Sequence, residues 1–149
     1  MQGAKALPPV YFLAALALTA LLRYIVPLPP VIPAPWHLGG LVLVGVGLFL
    51  VVSPARTFHV RGAAIKPFEQ SSVLVQDGLF AFSRNPMYLG MVLVVLGVAT
   101  LLRGAVPFVV PVILGVLLYL RFIRFEERSL EQTFGDDYRA YKARVRRWL

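Results

Sequence analysis

Four long apolar runs constrain this chain more than any other feature. They lie near residues 10–26, 37–53, 86–102 and 106–123, and each approaches the roughly 17–25 residues that a helix needs to cross a bilayer. Prolines, glycines and cations stand between them. The hydrophobic content of 58% exceeds the about 45–50% apolar share of a soluble domain, so most apolar surface is expected to face lipid. The expected fold is all-α, a polytopic membrane helix bundle of about four transmembrane helices with a C-terminal cytoplasmic amphipathic helix. One domain is expected to cover residues 1–149.

The first run, Val10 to Val26, is apolar except for Thr19 and Arg23 and follows a short head carrying Lys5. A signal peptide is the rival reading. No small-x-small cleavage site follows, and Arg23 can snorkel to the interface, so a retained helix is expected. Pro27, Pro29, Pro30, Pro33 and Pro35 make the next segment a stiff extended connection. Gly39, Gly40, Gly45 and Gly47 give the second run a small-residue face that lets another helix approach closely. Gly45-Val46-Gly47 has neither the preceding strand nor the third glycine of a dinucleotide-binding turn. Trp36 and His37 read as interfacial anchors.

Residues 54–85 form a long polar loop, with turns expected at Gly62, Pro67 and Gly78 and His59 read as a surface or capping residue. The third run starts at Pro86 and stops at Arg103-Gly104. In the fourth, Pro107 suits the first turn and Pro111 marks a kink. Helical periodicity continues from Arg121 to Thr133. Gly135 fits a helix stop and Asp136 the N-cap of a last helix. On that helix Tyr138, Tyr141, Val145 and Trp148 recur at three- and four-residue steps among Arg139, Lys142, Arg144, Arg146 and Arg147, a basic amphipathic pattern suited to a membrane surface.

The chain has no Cys, which excludes disulfides and Cys-based metal or nucleophile chemistry, and no metal is expected. Its net charge of +8 does not point to nucleic acid, because the cations gather at the ends of apolar runs. Arg23 and Arg103 fall on one side of the membrane, and the remaining Lys and Arg residues fall on the other. The positive-inside rule makes the richer side cytoplasmic. Both termini, the 54–85 loop and the 124–149 tail are therefore expected there, in an integral membrane protein of a bacterial or archaeal-type inner membrane.

Ser83-Arg84-Asn85-Pro86-Met87-Tyr88-Leu89-Gly90 sits where the loop meets the third run. Pro86 suits a first helical turn, and Ser83 or Asn85 can cap it. Arg84 places a cation beside free helical N–H groups that already favour an anion, and Tyr88 offers a ring and a hydroxyl. The stretch reads as a small anion-and-aromatic site or, equally, as an ordinary membrane-helix start with an interfacial Arg and Tyr. On a wheel at about 100° per residue, Arg121, Arg124 and Arg128 share a sector flanked by Glu127 and Glu131. Glu126 falls among Tyr119, Phe122, Ile123, Leu130 and Phe134. A carboxylate there wants a partner, either a structural Arg or a bound cation.

These residues resemble a known family. Gly62-x-x-Ile65-x-Pro67, Leu74-Val75-x-x-Gly78-x-Phe80, Arg84-Asn85-Pro86-Met87-Tyr88-x-Gly90, Glu126-Glu127-x-x-Leu130 and Phe134-Gly135-x-x-Tyr138-x-x-Tyr141-x-x-x-Val145 occur in order. The ordered set is similar to the integral-membrane methyltransferases, the isoprenylcysteine carboxyl methyltransferase and phospholipid methyltransferase group. The resemblance implies a helical membrane enzyme that uses S-adenosyl-L-methionine and a lipophilic acceptor. It places Val75, Gly78, Phe80, Arg84, Asn85, Pro86, Tyr88, Glu126 and Glu127 around the cofactor. It also places Tyr138, Tyr141 and Arg144 where the tail closes over the substrate. Asn85 stands where the isoprenylcysteine enzymes carry His, and the spans are fewer, so no prenylated protein is assigned as acceptor.

The residues suit that cofactor. Arg84 and the helix start match its carboxylate, Glu126 or Glu127 its ammonium, and Tyr88 and Phe80 its sulfonium or adenine. A carboxylate acceptor would need no base, whereas an amine or hydroxyl would call on Glu126 or Tyr141. The competing classes are a small transporter and a non-catalytic module binding anionic lipid. The first lacks an Asp or Glu within the apolar runs. The second leaves Arg84, Tyr88 and Glu126 without a role. The oligomeric state stays open.

Overall fold

The computed structural model describes residues 7–61 and 73–149, and of residues 55–61 only the helical backbone. The expectations for Lys5, the His59 side chain, Gly62 and Pro67 lie outside the described residues. Five α-helices follow one another: α1 (Pro8–Ile25), α2 (Gly39–Arg61), α3 (Pro86–Leu102), α4 (Val109–Leu118) and α5 (Arg124–Arg144). Short 3-10 turns cover Trp36–Leu38, Gly78–Ala81 and Val106–Phe108, and a π turn, Tyr119–Ile123, joins α4 to α5. No strand occurs among the described residues, so the fold is all-α.

Helix α1, the stretch Trp36–Pro54 and the continuous helix Val106–Arg144 are long and apolar enough to cross a membrane. Helix α3 has 17 residues and is the inner element, packed against α1, α2 and α4. Its Val95 and Ala99 are fully buried, while Leu13, Val42 and Phe49 on the outer helices are exposed. Large apolar side chains turned outward along whole helices suit a hydrocarbon surround rather than water.

Glycines set the α2–α3 contact. A Cβ added at Gly40 would meet the Gly97 carbonyl at 2.5 Å, and one at Gly47 the Gly90 carbonyl at 2.7 Å. The reverse additions at Gly97 and Gly90 meet Gly40 and Gly47 in turn. The two pairs share a seven-residue spacing, which keeps them on one face of each antiparallel helix. Gly39 and Gly45, expected on the same face, look into open space.

Several boundaries differ from the sequence reading. Helix α2 does not end near residue 53 but continues through Pro54 to Arg61. Hydropathy marks where the apolar run stops, not where the helix does, and spanning helices tolerate an internal proline. Pro111 lies in the first turn of α4, just after the change from the 3-10 turn Val106–Phe108 to α-helix. A second irregularity, the π turn at Tyr119–Ile123, was not read from the sequence. Gly135 does interrupt the last helix, at φ 51° and ψ −118°. The final helical segment stops at Arg144, with Val145 extended, so Trp148 leaves the stripe expected of it.

At one end of the bundle Arg103 closes α3 in the left-handed conformation, φ 63°. Its Nε donates to the Ile32 carbonyl at 2.8 Å and its carbonyl accepts from the Val31 amide at 2.8 Å. Arg23 Nη1 donates to the Leu28 carbonyl at 3.0 Å. The proline-rich connection is thus tied down by these two arginines, at the end away from Arg84.

Candidate functional site

The start of α3 is held by a C-terminal strap. Asn85 is the residue before the helix, but its side chain makes no cap hydrogen bond. Ser83 Oγ instead accepts from the Asn85 amide at 3.2 Å, and Asn85 Nδ2 donates to the Arg147 carbonyl at 3.1 Å. The Arg84 amide donates to the Arg146 carbonyl at 3.0 Å. Asn85 therefore ties the helix start to the strap through its amide nitrogen and does not cap α3 through its amide oxygen.

Glu127 is the ionic centre. It accepts from Arg147 Nε at 3.0 Å and Nη2 at 2.8 Å, a two-point pair. It also pairs with Arg84 Nη2 at 3.2 Å, and the Arg84 side chain is only 8% exposed. Arg84 Nε and Nη1 are buried with no hydrogen-bond partner among the described residues. Leaving buried charged donors unmatched costs more than about 1–3 kcal/mol each, so the geometry calls for an anionic or polar guest.

Glu126 is half-buried and Glu127 buried, the reverse of the wheel reading. The π turn inserts an extra residue into the helical turn just before them, which rotates α5 by roughly 100° relative to a regular helix. The Glu127 and Glu131 pairs consequently form elsewhere than with Arg121, Arg124 or Arg128: Glu131 takes Arg139 at 3.4 Å and Lys142 at 3.3 Å. Glu126 still reaches α3. The Tyr88 hydroxyl donates to its Oε1 at 2.5 Å, and the Tyr88 ring stacks on Phe122 with centroids 6.3 Å apart.

The tail packs over the segment ahead of α3. Tyr138, Tyr141 and Val145 form a second apolar cluster with Leu74, Leu130 and Phe134. The Tyr141 hydroxyl donates to the Phe80 carbonyl at 2.7 Å. Burial pushes its phenol up to about 12, against the pull of Arg84, so it stays a donor at neutral pH. A folded pKa above the usual value near 10 means that this contribution is intact below pH ~10 and is lost as pH rises through ~12. Tyr141→Phe is expected to cost about 1 kcal/mol at pH 8 and to lessen the alkaline fall in stability, read by thermal unfolding across pH.

Arg84, Asn85, Pro86, Tyr88, Glu126 and Glu127 thus converge. Val75 is buried, Phe80 is buried with its carbonyl against the Tyr141 hydroxyl, and Gly78 is exposed at φ 59°, as its turn requires. Arg144 lies apart, exposed, donating to Gln76 Oε1 at 3.1 Å. Arg147 was not singled out by the sequence; it was one of the five cations read on the last helix. Beyond it, an apolar groove of about 380 Å³ runs between α3 and α4, lined by Leu89, Val92, Pro111, Val112, Gly115 and Val116 and ending at Tyr119 and Trp148.

Residues 35–137 match the family model described as phospholipid methyltransferase. The chain belongs to that family. Proteins named protein-S-isoprenylcysteine O-methyltransferase are similar to it: that of Schizosaccharomyces pombe is 36% identical over 76 residues, 49% of this chain and 31% of the relative. The Saccharomyces cerevisiae protein is 32% identical over 77 residues, 52% of this chain and 32% of the relative. A Haemophilus influenzae protein described as uncharacterized is 42% identical over 64 residues, 42% of this chain and all of the relative. The match spans about a third of each yeast protein's length. Membership of this methyltransferase family, together with the apolar helices, makes the chain an integral membrane protein.

Proposed function

We propose that the protein moves a methyl group from S-adenosylmethionine to a lipophilic acceptor at the cytoplasmic face of the membrane. The observation that carries this is Arg84, a buried guanidinium at the start of α3 with two nitrogens unmatched among the described residues. Free helical amides and a guanidinium fork together suit the cofactor's carboxylate. Glu126, with one oxygen committed to Tyr88, suits its ammonium through the other. Bound, the cofactor supplies an electrophilic methyl on sulfur, whose carbon–sulfur bond breaks as the acceptor's lone pair forms the new bond.

The protein's own part is alignment and exclusion of water. Glu127 fixes Arg84 from one side and Arg147 from the other. Tyr141 serves as a positioning residue through the Phe80 carbonyl, and an acceptor that is already a carboxylate would need no base. The apolar groove gives a hydrocarbon chain a sideways route from the bilayer, and it ends next to Arg147. Arg23 and Arg103 gather at the opposite end, so the positive-inside rule supports a cytoplasmic site.

Purified protein in bilayer nanodiscs, supplied with methyl-labelled cofactor and either S-farnesyl-N-acetylcysteine or phosphatidylethanolamine, tests the reaction. Label passing into an organic-soluble product is expected. Label passing only into water-soluble acceptors argues against a lipophilic substrate.

A further inference from the structure

The strap that follows α5 touches both the polar site and the groove within two residues. Arg147 clamps Glu127 and lies 5.0 Å from the centre of the Tyr119 ring. Trp148 packs on the main core and lines the groove beside Tyr119. Across from it, Gly115 keeps the groove open: a Cβ there would meet nothing nearer than Val92 Cγ2 at 3.8 Å. Gly115 lies one turn before Tyr119, so both point to the same side of the helix. Apart from the Tyr119 hydroxyl and the Trp148 ring nitrogen at its end, the lining side chains offer no polar partners to water, and Val112 and Val116 are exposed.

Resting on the methyl-transfer reading, we infer that Trp148 is a specificity-determining wall where the acceptor's hydrocarbon chain meets the cofactor site. Arg147 is the positioning residue that holds it there through Glu127. The chain lies along Gly115 and Val116 with its reactive end toward Trp148. The ring's width then decides which groups next to the reactive atom can be seated.

The chain contains two tryptophans, and Trp36 is exposed at the other end of the bundle, so Trp36→Phe leaves Trp148 as the reporter. In nanodiscs of phosphatidylcholine brominated along its acyl chains, Trp148 emission is expected to be quenched. Gly115→Leu, or Val116→Phe as a second filling variant, is expected to roughly halve that quenching by occupying the groove. Gly45→Leu, which faces open space, is expected to leave it unchanged. Quenching that ignores both filling variants overturns the groove assignment.

Arg147→Gln is expected to lower Trp148 fluorescence anisotropy while Arg146→Gln does not; equal values overturn the positioning role of Arg147. Trp148→Ala is expected to change the ratio of kcat/KM between S-farnesyl-N-acetylcysteine and phosphatidylethanolamine, and an unchanged ratio overturns its role in specificity. Failure of the parent protein to bind S-adenosylmethionine overturns the methyl-transfer reading and the acceptor role with it. That outcome is separable from a failure of the groove, because the quenching experiment needs no cofactor.

Discussion

Glu127→Gln is expected to destabilise the protein by about 3 kcal/mol, the low end of the range for breaking a buried ion pair. Glutamine keeps the volume but removes the charge that Arg84 and Arg147 share. Two guanidinium groups then face each other across a neutral amide, one of them 8% exposed. Arg147 is 34% exposed and can turn toward water, which keeps the cost from the upper end. The expected fall in Tm is roughly 6–12 °C for a chain of this size. Glu131→Gln removes pairs whose cationic partners are well exposed and should cost less than about 1 kcal/mol. Thermal unfolding of both variants in one detergent makes the comparison, and similar losses would show that Glu127 is not the ionic centre of the site.

Gly47→Leu is expected to prevent α2 and α3 from docking. Its Cβ would stand 2.7 Å from both the Gly90 carbonyl and Val94 Cγ2, distances that real contacts do not reach. Backbone has to move, and overpacking of this kind costs typically about 1–3 kcal/mol or more. Because α3 carries Arg84, Asn85 and Tyr88 at its start, the displacement also reaches the site. A Cβ at Gly45 meets nothing within 4 Å, so Gly45→Leu should leave the protein intact. The recovery of monodisperse protein and its unfolding temperature report the difference. Two equally stable variants would remove the glycine contact as an organising feature.

The apolar runs made the helices and their order legible, since hydropathy responds directly to what the bilayer demands. Half of the glycine contact was legible too: Gly40 and Gly47 were read on α2, whereas their partners Gly90 and Gly97 repeat the same spacing on α3 and were not. The convergence of Arg84, Tyr88 and Glu126 followed from sidedness and from the family motifs. The division of labour between Glu126 and Glu127 did not. Adjacent residues sit about 100° apart on a helix, and the single extra residue of the π turn decides which is buried. Nothing in the composition of Tyr119–Ile123 announces that turn. Arg147 was hidden for another reason. As one of several tail cations on an apparently continuous helix it had no distinguishing spacing, and only the extended backbone at Val145 carries it back over α3.

Calorimetric titration of S-adenosylmethionine into the purified chain in detergent tests the Arg84–Glu126 site most directly. The wild-type protein is expected to bind. Arg84→Ala should weaken binding at least about ten-fold, since hydrogen bonds to a charged group are worth roughly 1.5–3 kcal/mol. Arg84→Lys keeps the charge beside Glu127 while losing the fork and should fall between. Glu126→Gln should weaken binding without removing it. Unaltered affinity in both Arg84→Ala and Glu126→Gln would contradict the placement of the methyl donor at the start of α3.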